Sequence, residues 1–429
     1  MIEIERDYYL NQLVTKKGNG LIKIITGIRR CGKSFLLFNL FRKHLLKTGI
    51  DEKHIISLSL DDDENEKYLD PANLSKYLKE RIINDNDSFY ILLDEVQLAI
   101  TEDEYKDKKR IRLYGILNSL LKYQNVDVYI TGSNSKFLSS DILTEFRGRG
   151  DEIRVHPLSF KEFMSVYKGD AYAGFRDYSL YGGLPYIVNL VNSEEKIKYL
   201  NSLFKSTYLK DIIERYNVKN TLVIDTLVDI LSSDISTLTN PTKLANSFTS
   251  YSIKTNANTI SSYIDYLIDA FIISKAQRYD IKGKRYISSP YKYYFEDIGL
   301  RNAKLNFRQI EPTHIMENII YNELIIRGFN VDVGVVEKYT KNSNGQNTVV
   351  LLEVDFVCNK GSQRYYIQSA YSIPDMDKMK QEQDSLDRID DSFKKIIIVQ
   401  DNINYYHNEK GYLIINILDF LLKENSLEF

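Results

Sequence analysis

The octapeptide Gly27-Ile28-Arg29-Arg30-Cys31-Gly32-Lys33-Ser34 follows an apolar run at residues 21–25 and precedes Phe35-Leu36-Leu37-Phe38. Its G-x-x-x-x-G-K-S spacing leaves the chain little choice: a buried strand must end, turn through glycine-permitted backbone and start a helix. Such a turn aims successive backbone N–H groups, reinforced by a helix N-terminus, at one point, which suits phosphate oxygens. On this reading Lys33 lies against the β- and γ-phosphates of a nucleotide and the Ser34 hydroxyl ligates Mg²⁺. Ile28, Arg29, Arg30 and Cys31 fill the free positions between Gly27 and Gly32. Cys31 therefore reads as a backbone donor of the loop rather than a redox thiol or a metal ligand.

Hydrolysis needs more than a phosphate cradle. Phe89-Tyr90-Ile91-Leu92-Leu93 is a continuous apolar run of the buried parallel-strand type, and it ends in Asp94-Glu95. Adjacent carboxylates at the C-terminal edge of such a strand sit where open α/β sheets bind ligands. Asp94 is expected to hold the Mg²⁺ shell, and Glu95 to polarise the attacking water. A third strand, residues 126–131, closes in Gly132-Ser133-Asn134-Ser135. Asn134 or Ser133 then contacts the γ-phosphate, or the tetrapeptide is ordinary turn chemistry. In Phe146-Arg147-Gly148-Arg149-Gly150, Arg147 or Arg149 serves as an arginine finger in an oligomer, or both belong to a solvated basic loop.

Several classes are excluded by composition. The formal charge of −2 gives no global basic field, so contact with nucleic acid has to come from a local patch. Two cysteines and five histidines are too few for a disulfide framework or a zinc cluster, and a reducing cytoplasm is the expected compartment. The charged N-terminus lacks a signal core, and no run approaches the ~18 apolar residues of a membrane span. At 429 residues the chain has room for about three domains.

The phosphate loop, Leu92-Leu93-Asp94-Glu95-Val96-Gln97, Ile130-Thr131-Gly132-Ser133-Asn134-Ser135, Gly148-Arg149-Gly150 and His156-Pro157-Leu158-Ser159-Phe160-Lys161-Glu162-Phe163 together resemble the prokaryotic AAA+-like P-loop ATPases that carry a C-terminal restriction-endonuclease-like domain of unknown function. The resemblance runs collinearly along nearly the whole chain. It implies ATP and Mg²⁺ as cofactors. An N-K-x-D guanine-specificity element is missing from the sequence, which also favours ATP.

Alternation of apolar runs at residues 21–26, 54–60, 89–93, 126–131 and 152–156 with helical stretches predicts an α/β fold, a doubly wound parallel sheet over residues 1–165. Residues 166–305 read as helical. The apolar positions 260, 263, 264, 267, 268 and 271 form one helix face, with Asn258 or Thr259 expected as its N-cap, and a hairpin turns at Lys282-Gly283-Lys284. Helix, helix, hairpin is the order of a winged helix, and the family resemblance supports that assignment. Lys275, Arg278, Lys282, Lys284 and Arg285 make the hairpin a basic patch suited to double-stranded DNA, or the module packs as a lid and touches no DNA.

Residues 306–429 hold a helical Glu317, a strand carrying Asp355 and a following strand carrying Gln368. The layout resembles the PD-(D/E)xK nuclease fold, whose carboxylates hold Mg²⁺ and whose lysine assists a hydrolytic water. At the lysine position stands Ala370, so the expected domain is nuclease-like in fold and inactive, unless Lys360, Lys378 or Lys380 supplies the cation. The sequence thus points to a cytoplasmic Mg²⁺-dependent ATPase that couples ATP hydrolysis to rearrangement of DNA-binding-like domains. The alternatives are a nucleotide-dependent switch that recruits a protein partner and a metal-dependent nuclease; oligomeric state stays open.

Overall fold

Glycine-loop punctuation and short apolar runs fold into five parallel strands. The computed structural model describes residues 2–82, 87–101, 103–104, 111–132, 146, 148–250, 252–341 and 346–429. Strands β1 (Ile22–Thr26), β2 (Ile55–Ser59), β3 (Phe89–Asp94), β4 (Val126–Thr131) and β5 (Gly150–Arg154) lie in the order β2-β3-β4-β1-β5. Every neighbouring pair is parallel. All residues of β1 and β3 are buried, as expected of strands covered on both faces.

Around the sheet lie α1 (Asp7–Thr15), α2 (Lys33–Phe35), which runs on through a π-helical stretch into α3 (Arg42–Lys47), α4 (Pro71–Arg81) and α5 (Arg112–Leu120). Pro71 at the start of α4 costs no hydrogen bond there, and the Asp70 carboxylate accepts from the Ala72 amide at 3.2 Å. Leu113, Tyr114, Leu117 and Leu120 make the buried stripe of α5 and pack into the core with Ile22, Ile24, Phe89, Ile91 and Leu93.

The chain divides into two compact units, Met1–Pro157 with Asp269–Phe271, and Leu158–Ile268 with Ile272–Phe429. In the second, Ser159 and Glu162 form a capping box at the start of α6 (Phe160–Met164): the Glu162 amide donates to Ser159 Oγ at 3.2 Å and the Ser159 amide to Glu162 Oε2 at 2.9 Å. The helices α7 (Ala171–Tyr181), α8 (Ser193–Leu203), α9 (Lys210–Arg215), α10 (Thr221–Ser233), α11 (Pro241–Ser250) and α12 (Ala257–Asp269) follow. Ile260, Tyr263, Ile264 and Leu267 are the buried face of α12. Its cap is Asn256, whose Oδ1 accepts from the Thr259 amide at 2.9 Å, not Asn258 or Thr259. The helix starts earlier than its apolar periodicity, because the first turn is polar.

An antiparallel hairpin comes next, β6 (Ile273–Asp280) and β7 (Arg285–Phe295), then α13 (Ile298–Lys304) and α14 (Pro312–Ile326). The last stretch holds β8 (Asn330–Lys341), β9 (Asn347–Lys360), β10 (Gln363–Ala370), α15 (Met376–Leu386), β11 (Lys394–Val399), β12 (Tyr406–His407), β13 (Leu413–Asn416) and α16 (Ile417–Leu422). The hairpin does not stand alone. Strand β6 pairs in parallel with β8, joining the hairpin to the later strands in one sheet of order β12-β13-β11-β10-β9-β8-β6-β7. Helix α14 lies on β7, β8, β9 and β10, with Tyr321 stacked 4.0 Å from Tyr294 of β7.

Candidate functional site

Between β1 and α2 the backbone takes the conformations that the glycines permit. Gly27 has φ +137° and lies so close to the Val155 carbonyl that a Cβ would sit 2.0 Å from its oxygen; Gly32 has φ +102°. Either position filled by an L side chain would distort the loop. Ile28 and Cys31 are buried, and the Cys31 thiol donates to the Val155 carbonyl at 3.3 Å, while Arg29 and Arg30 are exposed. The Lys33 ammonium folds back over the loop, donating to the carbonyls of Gly27 at 3.0 Å and Ile28 at 3.1 Å. Behind the loop, the buried Arg6 guanidinium donates to the carbonyls of Cys31 at 3.0 Å and His156 at 2.8 Å. Nothing in the sequence marks Arg6, because the loop carbonyls it holds lie about 25 and 150 residues away.

At the ends of β1, β3 and β4 four side chains converge. The Asp94 carboxylate accepts hydrogen bonds from the hydroxyls of Ser34 and Thr131. The Glu95 amide donates to Thr131 Oγ1 at 3.3 Å, so the threonine bridges the two acids of the pair. Glu95 itself turns out of the strand with φ +50°, and its carboxylate accepts from the Gln97 side-chain amide. Burial pushes the Asp94 carboxyl up from its ordinary value; the Ser34 and Thr131 hydroxyls pull it down, while Glu95 and Asp61 add like charge. A desolvated carboxylate beside a hydroxyl and two further acids is short of positive charge, and this all-oxygen donor set suits Mg²⁺.

The β1–β3–β4 edge thus brings together Gly27, Lys33, Ser34, Asp94 and Glu95. Asn134 and Arg147 lie outside the described residues. Arg149 is exposed just before β5, and its carbonyl accepts from the Ile22 amide at 2.9 Å. A threonine ending an apolar strand carries no local signal; Thr131 has a role only because the β3–β4 register brings its hydroxyl to Asp94.

On the hairpin, Lys282, Lys284 and Arg285 are exposed at the tip, where Arg285 Nε stands 3.4 Å from Asp280. Lys275 lies at the far end of β6, about 20 Å along the strand at ~3.3 Å per residue. Its ammonium is 4.8 Å from the Tyr291 ring centroid. Arg278 is half-buried in mid-strand. The five basic residues therefore form a tip cluster and two outliers.

In the C-terminal strands Glu317, Asp355 and Gln368 come together: the Asp355 amide donates to Gln368 Oε1 at 3.3 Å, and Glu353 joins the group. The cation there has no local signal in the sequence. Lys292 of β7 reaches Glu353 at 2.5 Å, Glu317 at 2.8 Å and Asp355 at 3.8 Å. Lys360, Lys378 and Lys380 are engaged elsewhere, with the Arg327 carbonyl, Glu382 and Asp377 respectively.

An uncharacterised protein of Haemophilus influenzae is 34% identical to this chain over 427 residues, 98% of the chain and 99% of that protein. The chain belongs to that protein's family. An uncharacterised protein of Methanocaldococcus jannaschii is 26% identical over 444 residues, covering 99% of the chain and 89% of its own length. In this member of the family, residues 19–164 match the profile described as an AAA domain, and residues 172–311 match that of a domain of unknown function. Among solved structures, a Walker-type ATPase of Pyrococcus abyssi superposes with a TM-score of 0.48 at 14% identity, covering 71% of this chain and 96% of that one. The Orc1 protein of Aeropyrum pernix in complex with DNA gives 0.32 at 11% identity, covering 71% and 92%. The N-terminal unit is an AAA+-like, ATP-binding P-loop core. Among the described residues, no helix is long and apolar enough to cross a membrane.

Proposed function

We propose that the protein is a Mg²⁺-dependent ATPase whose turnover rearranges its second unit on double-stranded DNA. The observation that carries the catalytic half is the convergence of Ser34 and Thr131 on Asp94, one residue from Glu95 and at the mouth of the phosphate loop. Ser34 and Asp94 are the groups that would hold Mg²⁺, which when bound neutralises charge on the β- and γ-phosphates. Lys33 exchanges its two loop carbonyls for phosphate oxygens. Thr131 fixes the rotamer of Asp94 and ties it to the Glu95 backbone, and Glu95 orients and polarises water. Arg149, exposed beside β5, is the described candidate for a finger acting on a neighbouring subunit.

The DNA half of the reading rests on the winged-helix order of α11, α12, β6 and β7 and on the exposed tip cations Lys282, Lys284 and Arg285. The C-terminal strands are read as a nuclease-like fold that does not cleave. The test is steady-state ATP hydrolysis by the wild-type chain and Glu95→Gln, each with and without double-stranded DNA. Glu95→Gln is expected to bind ATP and turn it over about 10²–10⁴-fold more slowly, the usual contribution of a positioned base. DNA is expected to stimulate the wild type. Wild-type turnover by Glu95→Gln would remove the base assignment, and turnover indifferent to DNA would leave an ATP-dependent switch acting on a protein.

A further inference from the structure

A PD-(D/E)xK-like arrangement of carboxylates implies a divalent cation, and the residues around Glu317, Glu353 and Asp355 do not fit one. The Lys292 ammonium stands within 4 Å of all three acids and is 3% exposed. Two of the carboxylate oxygens carry further hydrogen bonds from the protein. Glu317 Oε1 accepts from both Lys292 and the Tyr294 hydroxyl, each at 2.8 Å, and Asp355 Oδ2 accepts from the Ser369 amide at 2.8 Å. A divalent ion would have to displace the ammonium or share the carboxylates with it, at the cost of like-charge repulsion in a desolvated site. Among the described residues, no group of three or more His, Cys, Asp or Glu side chains is arranged to hold a metal.

We infer that Lys292 is the resident cation of this cluster: its ammonium takes the place of a divalent metal, so that the C-terminal carboxylates clasp the hairpin instead of cleaving a phosphodiester. The lysine arrives from β7, a strand that precedes the helix and strands carrying the acids, and Tyr294 two residues later reaches the same Glu317 oxygen. Two side chains on one face of one strand thus dock on Glu317 of α14. The salt bridges are internal: one buried ammonium shared by three acids, with the Tyr294 hydroxyl on Glu317, occupies the centre of the cluster without any ligand.

Mn²⁺ binding decides the matter. Titration by electron paramagnetic resonance would use the full chain carrying Lys33→Ala and no nucleotide, so that the phosphate loop contributes no nucleotide-linked metal. The expected result is that Asp355→Asn leaves the Mn²⁺ isotherm of this parent unchanged, and that Lys292→Gln adds one Mn²⁺ per chain, which Asp355→Asn then removes. A parent that already binds one Mn²⁺ and loses it on Asp355→Asn would overturn the inference. So would a folded Lys292→Gln chain that binds no more Mn²⁺ than its parent. Where Lys292→Gln fails to fold, the parent and its Asp355→Asn variant still decide, because the inference requires their isotherms to coincide. ATP turnover enters neither arm, so failure here is separable from failure of the ATPase reading.

Discussion

Thr131 places one oxygen between the Asp94 carboxylate and the Glu95 amide, and that position makes a sharp substitution possible. Thr131→Val keeps the shape and removes the hydroxyl. A hydrogen bond to a charged group contributes ~1.5–3 kcal/mol. If Asp94 needs that bond to hold its rotamer, kcat/KM for ATP should fall about 10–100-fold. Thr131→Ser should retain most of the activity, and a steady-state assay over a Mg²⁺ series checks both. Lys33→Ala should abolish nucleotide binding, read by fluorescence titration with a labelled ATP analogue. The strand-ending acids and the glycine loop were legible because each is a local pattern with a chemical reason. Thr131, Arg6 and Lys292 were not, because each acts through a partner that only the register of the sheet or the fold brings near.

Among elements, β7 does the most varied work: it closes the hairpin, bridges to Thr239 and delivers Lys292 to the acids of α14 and β9. Removing one partner from a buried ion cluster costs ~3–5 kcal/mol, since the opposite charges are left uncompensated. Lys292→Met should therefore lower the urea midpoint markedly, and Lys292→Met combined with Glu317→Gln should lose less than the sum of the two. Asp297, the N-cap of α13, makes stability depend on pH. The Gly183 amide donates to Asp297 Oδ2 at 2.7 Å and the Leu300 amide to Asp297 Oδ1 at 3.0 Å, yet burial outweighs these and pushes the Asp297 carboxyl up to about 6. Because the unfolded chain ionises this group at lower pH, it binds fewer protons than the folded chain between roughly pH 4 and 6. Stability through Asp297 should accordingly fall as pH rises across that window, by about 3 kcal/mol in all. Urea unfolding of wild type and Asp297→Asn from pH 4 to 6.5 checks the sign: the wild type should lose ground to the variant as pH rises.

For the whole molecule, the DNA reading predicts an ionic-strength signature. Binding of a duplex should weaken linearly in log salt, and Lys282→Ala, Lys284→Ala and Arg285→Ala together should flatten the slope by up to about 0.9 per phosphate contact removed. Fluorescence anisotropy over a salt series would show it; an unchanged slope would take the hairpin tip out of the DNA contact. The parallel core was readable because strands buried on both faces are unbroken apolar runs, as in residues 89–93. The second sheet was harder to read, since β6 and β7 mix exposed basic and aromatic residues and nothing local in them announces a partner strand. That partner is β8, and Arg278 pairs with Val333, about 55 residues apart. During synthesis at ~5–20 residues per second, β6 must wait about 3–10 s for its neighbour to leave the ribosome. Throughout that interval the hairpin shows a bare edge of unpaired amides and carbonyls, an invitation to mispair with another nascent chain. The exposed lysines and arginine at its tip put like charge where two such hairpins would meet, which disfavours that mispairing.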